Sequence, residues 1–286
     1  MNIQIKMQAQ QPLKHKYIDL DKTIKEQEGG ILKKLPRFVI NIIKRIIHQE
    51  EANRIFNKIS CYHGVEFLEN MLSEMDIEVD ILGLENLPEN KKCFFACNHP
   101  YGFADALIIN KIIAEKYGSV KVIANDVFLF LPQLHEYIAP VNVFDGATKD
   151  NLRTLDLLYS QEIPVVHFPA GIVSRKIKGK VEDYKWQKSF VKKAIEHERD
   201  IVPIFFHGQN SSLFYTIFLI RSFLGIKANI ELMLLPDEFA RKKHTTIKVS
   251  IGKAISYKQL DKSRTHNDWA QWVRSKAYEL GNRPKA

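Results

Sequence analysis

Two residues in the stretch CFFACNHPYGFADALII could carry acid–base chemistry: His99 and Asp105, on either side of a turn shaped by Pro100 and Gly102. A histidine accepts a proton from a hydroxyl near neutral pH, provided a second group holds its ring in the useful tautomer. Asp105 is suited to that second role. From these residues alone the pair is a catalytic dyad, half of a metal site, or two ordinary loop residues. A second stretch, HFPAGIVSRK, again leaves an apolar run, turns at Pro169 and Gly171, and presents Ser174, Arg175 and Lys176 beyond it. The arginine fork matches phosphate or carboxylate. A third, RDIVPIFFHGQNSS, ends in His207, a rival base with no aspartate near it in sequence.

Other chemistries lack their residues. There is no G-x-S-x-G elbow, no glycine-rich phosphate loop, no G-x-G-x-x-G fingerprint and no helical histidine pair at metal-ligand spacing. The three cysteines form no disulfide or zinc framework and read as buried thiols of a reducing compartment, Cys93 and Cys97 on one face of one strand. No metal or cofactor is expected. The N-terminus has no signal-peptide core, and no run of about 18 uncharged apolar residues exists to span a bilayer.

The elements that must position these residues follow from periodicity. Six β-like runs, at 77–82, 93–97, 120–124, 141–144, 163–168 and 201–206, alternate with helical runs at 104–117, 147–160 and 185–198. That order predicts an α/β fold, a mainly parallel β-sheet flanked by helices. Runs at 230–235 and 246–251 are expected as added edge strands, then a helix over 266–280. Pro203 inside a strand predicts a bulge or an edge. Ligands of such sheets sit at the carboxyl ends of the strands, where His99 falls.

Residues 1–74 are expected as a loosely held polar arm closed by Gly29-Gly30 and an amphipathic helical extension over 31–47, with residues 75–286 forming the α/β domain. In that helix, Leu35, Phe38, Ile42, Ile43 and Ile46 recur at helical spacing while Arg37, Lys44 and Arg45 take other faces. It fits a helix packed on the core or a basic helix lying on a membrane. The Phe-rich segment 213–226 has the same two readings. A net charge of +9 calls for an anionic partner: nucleic acid, an anionic membrane surface or an acidic carrier. The 45% apolar content is that of a core-forming chain.

Taken in order, these blocks resemble the glycerolipid and lysophospholipid acyltransferase family. Its N-H-x4-D block corresponds to Asn98-His99 through Asp105. A second block falls on Pro140 to Phe144, its F-P-E-G-T-R-S block on Phe168-Pro169-Ala170-Gly171 with Ser174-Arg175, and its V-P strand on Val202-Pro203. Here one extra residue separates the histidine from the aspartate, the glutamate is Ala170, and the arginine is displaced. With Trp186, Lys188, Phe190 and Gly208 to Ser211, this form is similar to a branch of O-acyltransferases. That branch makes ornithine and glycine lipids from lyso-amino-acid lipids, and includes hemolysin-like proteins.

The resemblance implies catalysis by His99 and Asp105, and substrate binding by Asn98, Gly102, Phe168, Pro169, Gly171, Ser174 and Arg175. It implies a fatty acyl thioester co-substrate on acyl carrier protein or CoA, a lysolipid acceptor, an anionic membrane surface and no nucleic acid. The expected location is peripheral, at the cytoplasmic face of the inner membrane. Alternatives are a 1-acylglycerol-3-phosphate acyltransferase and a non-catalytic lipid-binding protein.

Overall fold

Strand β2 (Cys93–Cys97) is buried at every position, as expected of a strand covered on both faces. Cys93, Phe95 and Cys97 enter one hydrophobic cluster, while Phe94 and Ala96 enter another on the opposite face. The alternation follows from the two-residue period of the strand. In the computed structural model, which describes residues 15–26, 36–125, 131–141, 149–227 and 229–282, this strand is central to a seven-stranded sheet.

The strands are β1 (Ile77–Leu82), β2, β3 (Lys121–Asn125), β4 (Ile138–Val141), β5 (Val165–His167), β8 (Asp200–Phe206) and β9 (Thr245–Ile251), in the order β1-β9-β8-β2-β5-β3-β4. A hairpin of β6 (Arg175–Ile177) and β7 (Lys180–Glu182) stands apart. Every neighbouring pair in the main sheet is parallel except β8 with β9. The fold is therefore α/β and mainly parallel.

The helices are α1 (Leu20–Glu26), α2 (Arg37–Ile46), α3 (Gln49–Ile59), α4 (Gly64–Glu74), α5 (Phe103–Tyr117), α6 (Lys149–Ser160), α7 (Ser189–Glu196), α8 (Ser212–Phe223), α9 (Leu235–Ala240) and α10 (His266–Gly281). One face of the sheet is covered by α3, α4 and α5 through Ile59, Phe67, Met71, Ile108 and Ile112. The other is covered by α7 and α10 through Phe190, Val191, Trp269, Val273 and Ala277. α3 and α4, both ahead of β1, thus share the core of the sheet.

Several expectations change. Segment 230–234 is a turn of 3-10 helix leading into α9, not a strand; Pro236 in the first turn of α9 cannot donate to a ladder. β9 lies inside the sheet, between β1 and β8. Part of the expected loose arm is docked: the Ile18 and Leu20 N–H groups donate to Asn53 and Gln49 of α3, each at 2.9 Å. The rest of the arm, residues 31–35 of the extension and residues 142–144 of the fourth run lie outside the described residues. Cys61 is exposed, unlike Cys93 and Cys97. Pro203 sits opposite a bulge: between the Ile201–Ile255 and Ile204–Ile251 pairs, the segment that follows β9 carries one residue more than β8 does.

Candidate active site

The chain leaves β2 into a turn that Asn98 ties to β8. Its Nδ2 donates to the Phe206 carbonyl at 3.0 Å, and its Oδ1 accepts the Phe206 N–H at 2.6 Å. Both ends of this amide are thereby engaged. Gly102 follows at φ +86°, a conformation that L side chains rarely adopt, with Leu235 close to where a Cβ would stand. α5 then begins, and Asp105 lies in its first turn.

There the Asp105 carboxylate is wholly buried and gathers three donors at Oδ2. These are the Tyr101 N–H at 2.9 Å, the Gly102 N–H at 3.1 Å and His99 Nδ1 at 3.0 Å. Two of them are backbone N–H groups and can only donate, so Oδ2 is an acceptor and the His99 proton sits on Nδ1. That leaves Nε2 as the basic nitrogen. Burial pushes the Asp105 carboxyl above its usual range, opposed by the hydrogen bond and charge of His99 and by the two amides.

The second block meets the first at this ring. Phe168, just past β5, stacks on His99 with centroids 4.0 Å apart and planes 28° from parallel. The Pro169 carbonyl accepts the Gln187 N–H at 2.9 Å. Gly171, at φ +71°, closes a tight turn back to the Phe168 carbonyl at 2.9 Å and faces open space. Ser174 is buried; its N–H donates to the His99 carbonyl at 2.8 Å and its hydroxyl to Asp183 Oδ1 at 2.5 Å.

Arg175 requires a correction. It does not stand ready for an anionic ligand: it has no exposed surface and pairs with Glu231 Oε1 at 2.9 Å. Glu231, also fully buried, is shared with Arg221 of α8 at 2.7 Å, and the Arg175 guanidinium lies over Phe214 and Phe218. The β6–β7 hairpin turns this part of the chain inward beneath α8. Glu231 was invisible as a partner because its segment reads as an apolar strand.

The rival base is placed differently. His207 Nε2 meets the Ser250 hydroxyl at 2.8 Å, and burial, with Lys248 nearby, lowers its pKa. The Cys93 thiol is pushed up to about 12 by burial and Cys97 well above its ordinary value, which makes both poor nucleophiles at neutral pH. Asp156, Glu196 and His197 converge on the surface of α6 and α7 at a spacing that could hold a metal. Lys193 already bridges the two carboxylates, at 2.6 and 2.7 Å.

Sequence reading missed Asp183. Its partners are a backbone N–H, a hydroxyl and an indole N–H, none of which leaves a spacing pattern. It also missed Lys242, whose ammonium lies 4.4 Å from the Tyr101 ring centroid.

An α/β sheet bearing a carboxylate-held histidine at the carboxyl end of a central strand is an arrangement chemically able to take a proton from a hydroxyl. The family model described as "Acyltransferase" matches residues 22–286, and the chain belongs to that acyltransferase family. It is 38% identical over 264 residues to a lyso-glycine lipid O-acyltransferase of Phocaeicola vulgatus, covering 92% of this chain and 95% of the relative. To a protein of the same name from Bacteroides thetaiotaomicron it is 35% identical over 264 residues, covering 92% and 97%. Among solved structures it is similar to the 1-acyl-sn-glycerophosphate acyltransferase PlsC of Thermotoga maritima, with a TM-score of 0.46, 14% identity, and 87% of this chain and 99% of that one covered.

Proposed function

We propose that the protein transfers a fatty acyl group from an acyl thioester to the hydroxyl of a lysolipid, and that the acceptor is a lyso-amino-acid lipid with a glycine head group. The acceptor is taken from the two relatives named for that reaction. The chemistry rests on one observation: His99 is anchored through Nδ1 to a buried aspartate, which leaves Nε2 as the basic nitrogen.

In this reading Nε2 removes the acceptor hydroxyl proton as the oxygen attacks the thioester carbonyl. Asp105 steadies the imidazolium that forms. The tetrahedral adduct collapses, the C–S bond breaks, and the imidazolium returns its proton to the departing thiolate. An ester and a free thiol result, with no acyl-enzyme. Asn98, Gly102, Pro169, Gly171 and Ser174 shape the turns around His99, and Phe168 supports its ring. The thioester is carried by acyl carrier protein or CoA, and the basic surface suits either.

The working location is peripheral, at the cytoplasmic face of the inner membrane. Three features favour contact with a membrane surface over a span. No helix among the described residues is long and apolar enough to cross a membrane. Large apolar side chains stand exposed along α8 and just beyond it: Leu219, Ile220, Phe223, Leu224 and Met233. On α2, Phe38 and Ile42 are exposed on a helix that also carries Arg37, Lys44 and Arg45.

The test is acyl transfer by purified wild type and His99→Ala, offered lyso-glycine lipid or lysophosphatidic acid with acyl carrier protein or CoA thioesters. Wild type is expected to acylate the glycine lipid and the variant to lose the activity. Equal rates in the variant remove His99 as the base. Transfer to lysophosphatidic acid alone overturns the acceptor.

A further inference from the structure

A second buried carboxylate bears on the same histidine. Asp183 follows β7 and is 1% exposed. Its Oδ1 accepts the backbone N–H of His99 at 3.2 Å and the Ser174 hydroxyl at 2.5 Å, and its Oδ2 accepts the Trp186 indole N–H at 2.9 Å. Its own N–H donates to the Tyr278 hydroxyl of α10 at 2.7 Å. Since the Ser174 N–H also donates to the His99 carbonyl, the His99 residue is bonded at both backbone polar groups by the segment that ends in Asp183.

The donors to this carboxylate are neutral. The nearby guanidinium, Arg274 of α10, makes its bonds to Glu182 Oε2 at 2.7 Å and to the Asp183 carbonyl at 2.8 Å. Other ionisable groups that feel its charge are Cys97 at the end of β2 and the Tyr278 phenol, neither of them cationic. A buried carboxylate held by neutral donors costs the fold stability and is eased by a positive charge within reach. The His99 ring supplies one, because it gains positive charge in mid-reaction.

We infer that Asp183 is a positioning residue for acyl transfer: it fixes the His99 peptide, and its charge stabilises the protonated ring beside that of Asp105. This rests on reading His99 as the base. Burial raises the Asp183 carboxyl above its ordinary value, and the bonds from Ser174, Trp186 and the His99 N–H, with the charge of the His99 ring, oppose that rise. The coupling is mutual: a carboxylate favoured by the imidazolium favours it in return.

The experiment follows the His99 ring through a pH titration by NMR in full-length wild type and Asp183→Asn, its signal assigned by loss in His99→Gln. Losing the negative charge disfavours the imidazolium, so the His99 ring signal is expected to titrate at lower pH in Asp183→Asn than in wild type. The acid limb of the kcat–pH profile moves the same way, and kcat drops roughly tenfold with KM little changed. Trp186→Phe, which keeps the carboxylate and removes one of its donors, is expected to move the titration in the same direction but by less than Asp183→Asn.

An unmoved His99 titration in folded Asp183→Asn overturns the electrostatic role, and an unmoved kcat overturns the positioning role. If Asp183→Asn does not fold, Asp183→Ser takes its place. Failure of both assigns the residue to structure alone and overturns the inference. If wild type acylates no lysolipid, the proposed reaction fails on that result, while the NMR titration still decides whether Asp183 acts on His99.

Discussion

The imidazole of His99 lies nearly flat on the ring of Phe168, with centroids 4.0 Å apart. The turn after β2 and the turn after β5 meet through these two rings. Phe168 limits rotation of the histidine about its Nδ1 anchor and offers a π-face to the imidazolium. Phe168→Leu removes both effects. With stacking and cation–π terms of about 1 kcal/mol, kcat is expected to fall roughly fivefold with little change in KM, read by steady-state kinetics.

Asp105→Asn separates function from stability. Burial raises the folded-state pKa of this carboxyl, so stability falls as pH rises from the unfolded value through the folded one. At neutral pH the ionised group is a net cost, and the amide relieves it. The variant is expected to melt at the wild-type temperature or above while losing activity by roughly 10²- to 10⁴-fold, the range of a general base. Calorimetry beside an acyl-transfer assay checks both halves.

His167 is the acid-sensitive group of the core. Burial, with the Arg199 charge adding, lowers its pKa to about 3 from an ordinary 6.5. Between those values the unfolded chain binds a proton that the folded chain refuses, so stability is lost as pH falls below 6.5. At pH 5 the loss is about 2 kcal/mol. His167→Leu is expected to flatten this part of the curve, measured by urea midpoints at pH 7 and pH 5.

Glu231 compensates two arginines, Arg175 and Arg221. Glu231→Ala leaves both guanidinium groups buried without their counter-charge and is expected to cost about 3–5 kcal/mol in denaturant unfolding. Replacing Arg175 with Met in the same chain recovers part of that loss. A stability equal to wild type in the single variant would show that the cluster is hydrated.

Phe223 is 90% exposed at the end of α8. Partitioning onto vesicles containing phosphatidylglycerol is expected to weaken roughly tenfold in Phe223→Asp, with melting temperature unchanged. Sedimentation of vesicles with bound protein measures it. Equal binding would place the contact elsewhere on the surface.

The sequence made His99 and Asp105 legible because proline, glycine and a strand end within one stretch force them together. β1 and β2 begin and end where their apolar runs do. Asp183 was not legible, since its bond to His99 spans 84 residues and ends on a backbone N–H. The β6–β7 hairpin has strands of three residues, too short for a period to emerge. Segment 230–234 misled because its apolar residues face partly outward while its one acid, Glu231, serves buried arginines. Arg175 was found as a residue and misjudged in setting: residue type announces a charge, but only packing decides whether that charge has already been met.

The place of β9 in the sheet has a consequence for how the protein is made. β1 hydrogen-bonds only to β9 within the sheet, and each pair of their residues is separated by 168 positions. A ribosome releases β1 168 residues ahead of its neighbour. Until β9 is made, the first strand has no partner in the sheet. Such long-range closure is slow and leaves apolar surface exposed while it waits. The sheet is complete only when β9 reaches β1, and until then that side of the core stays open.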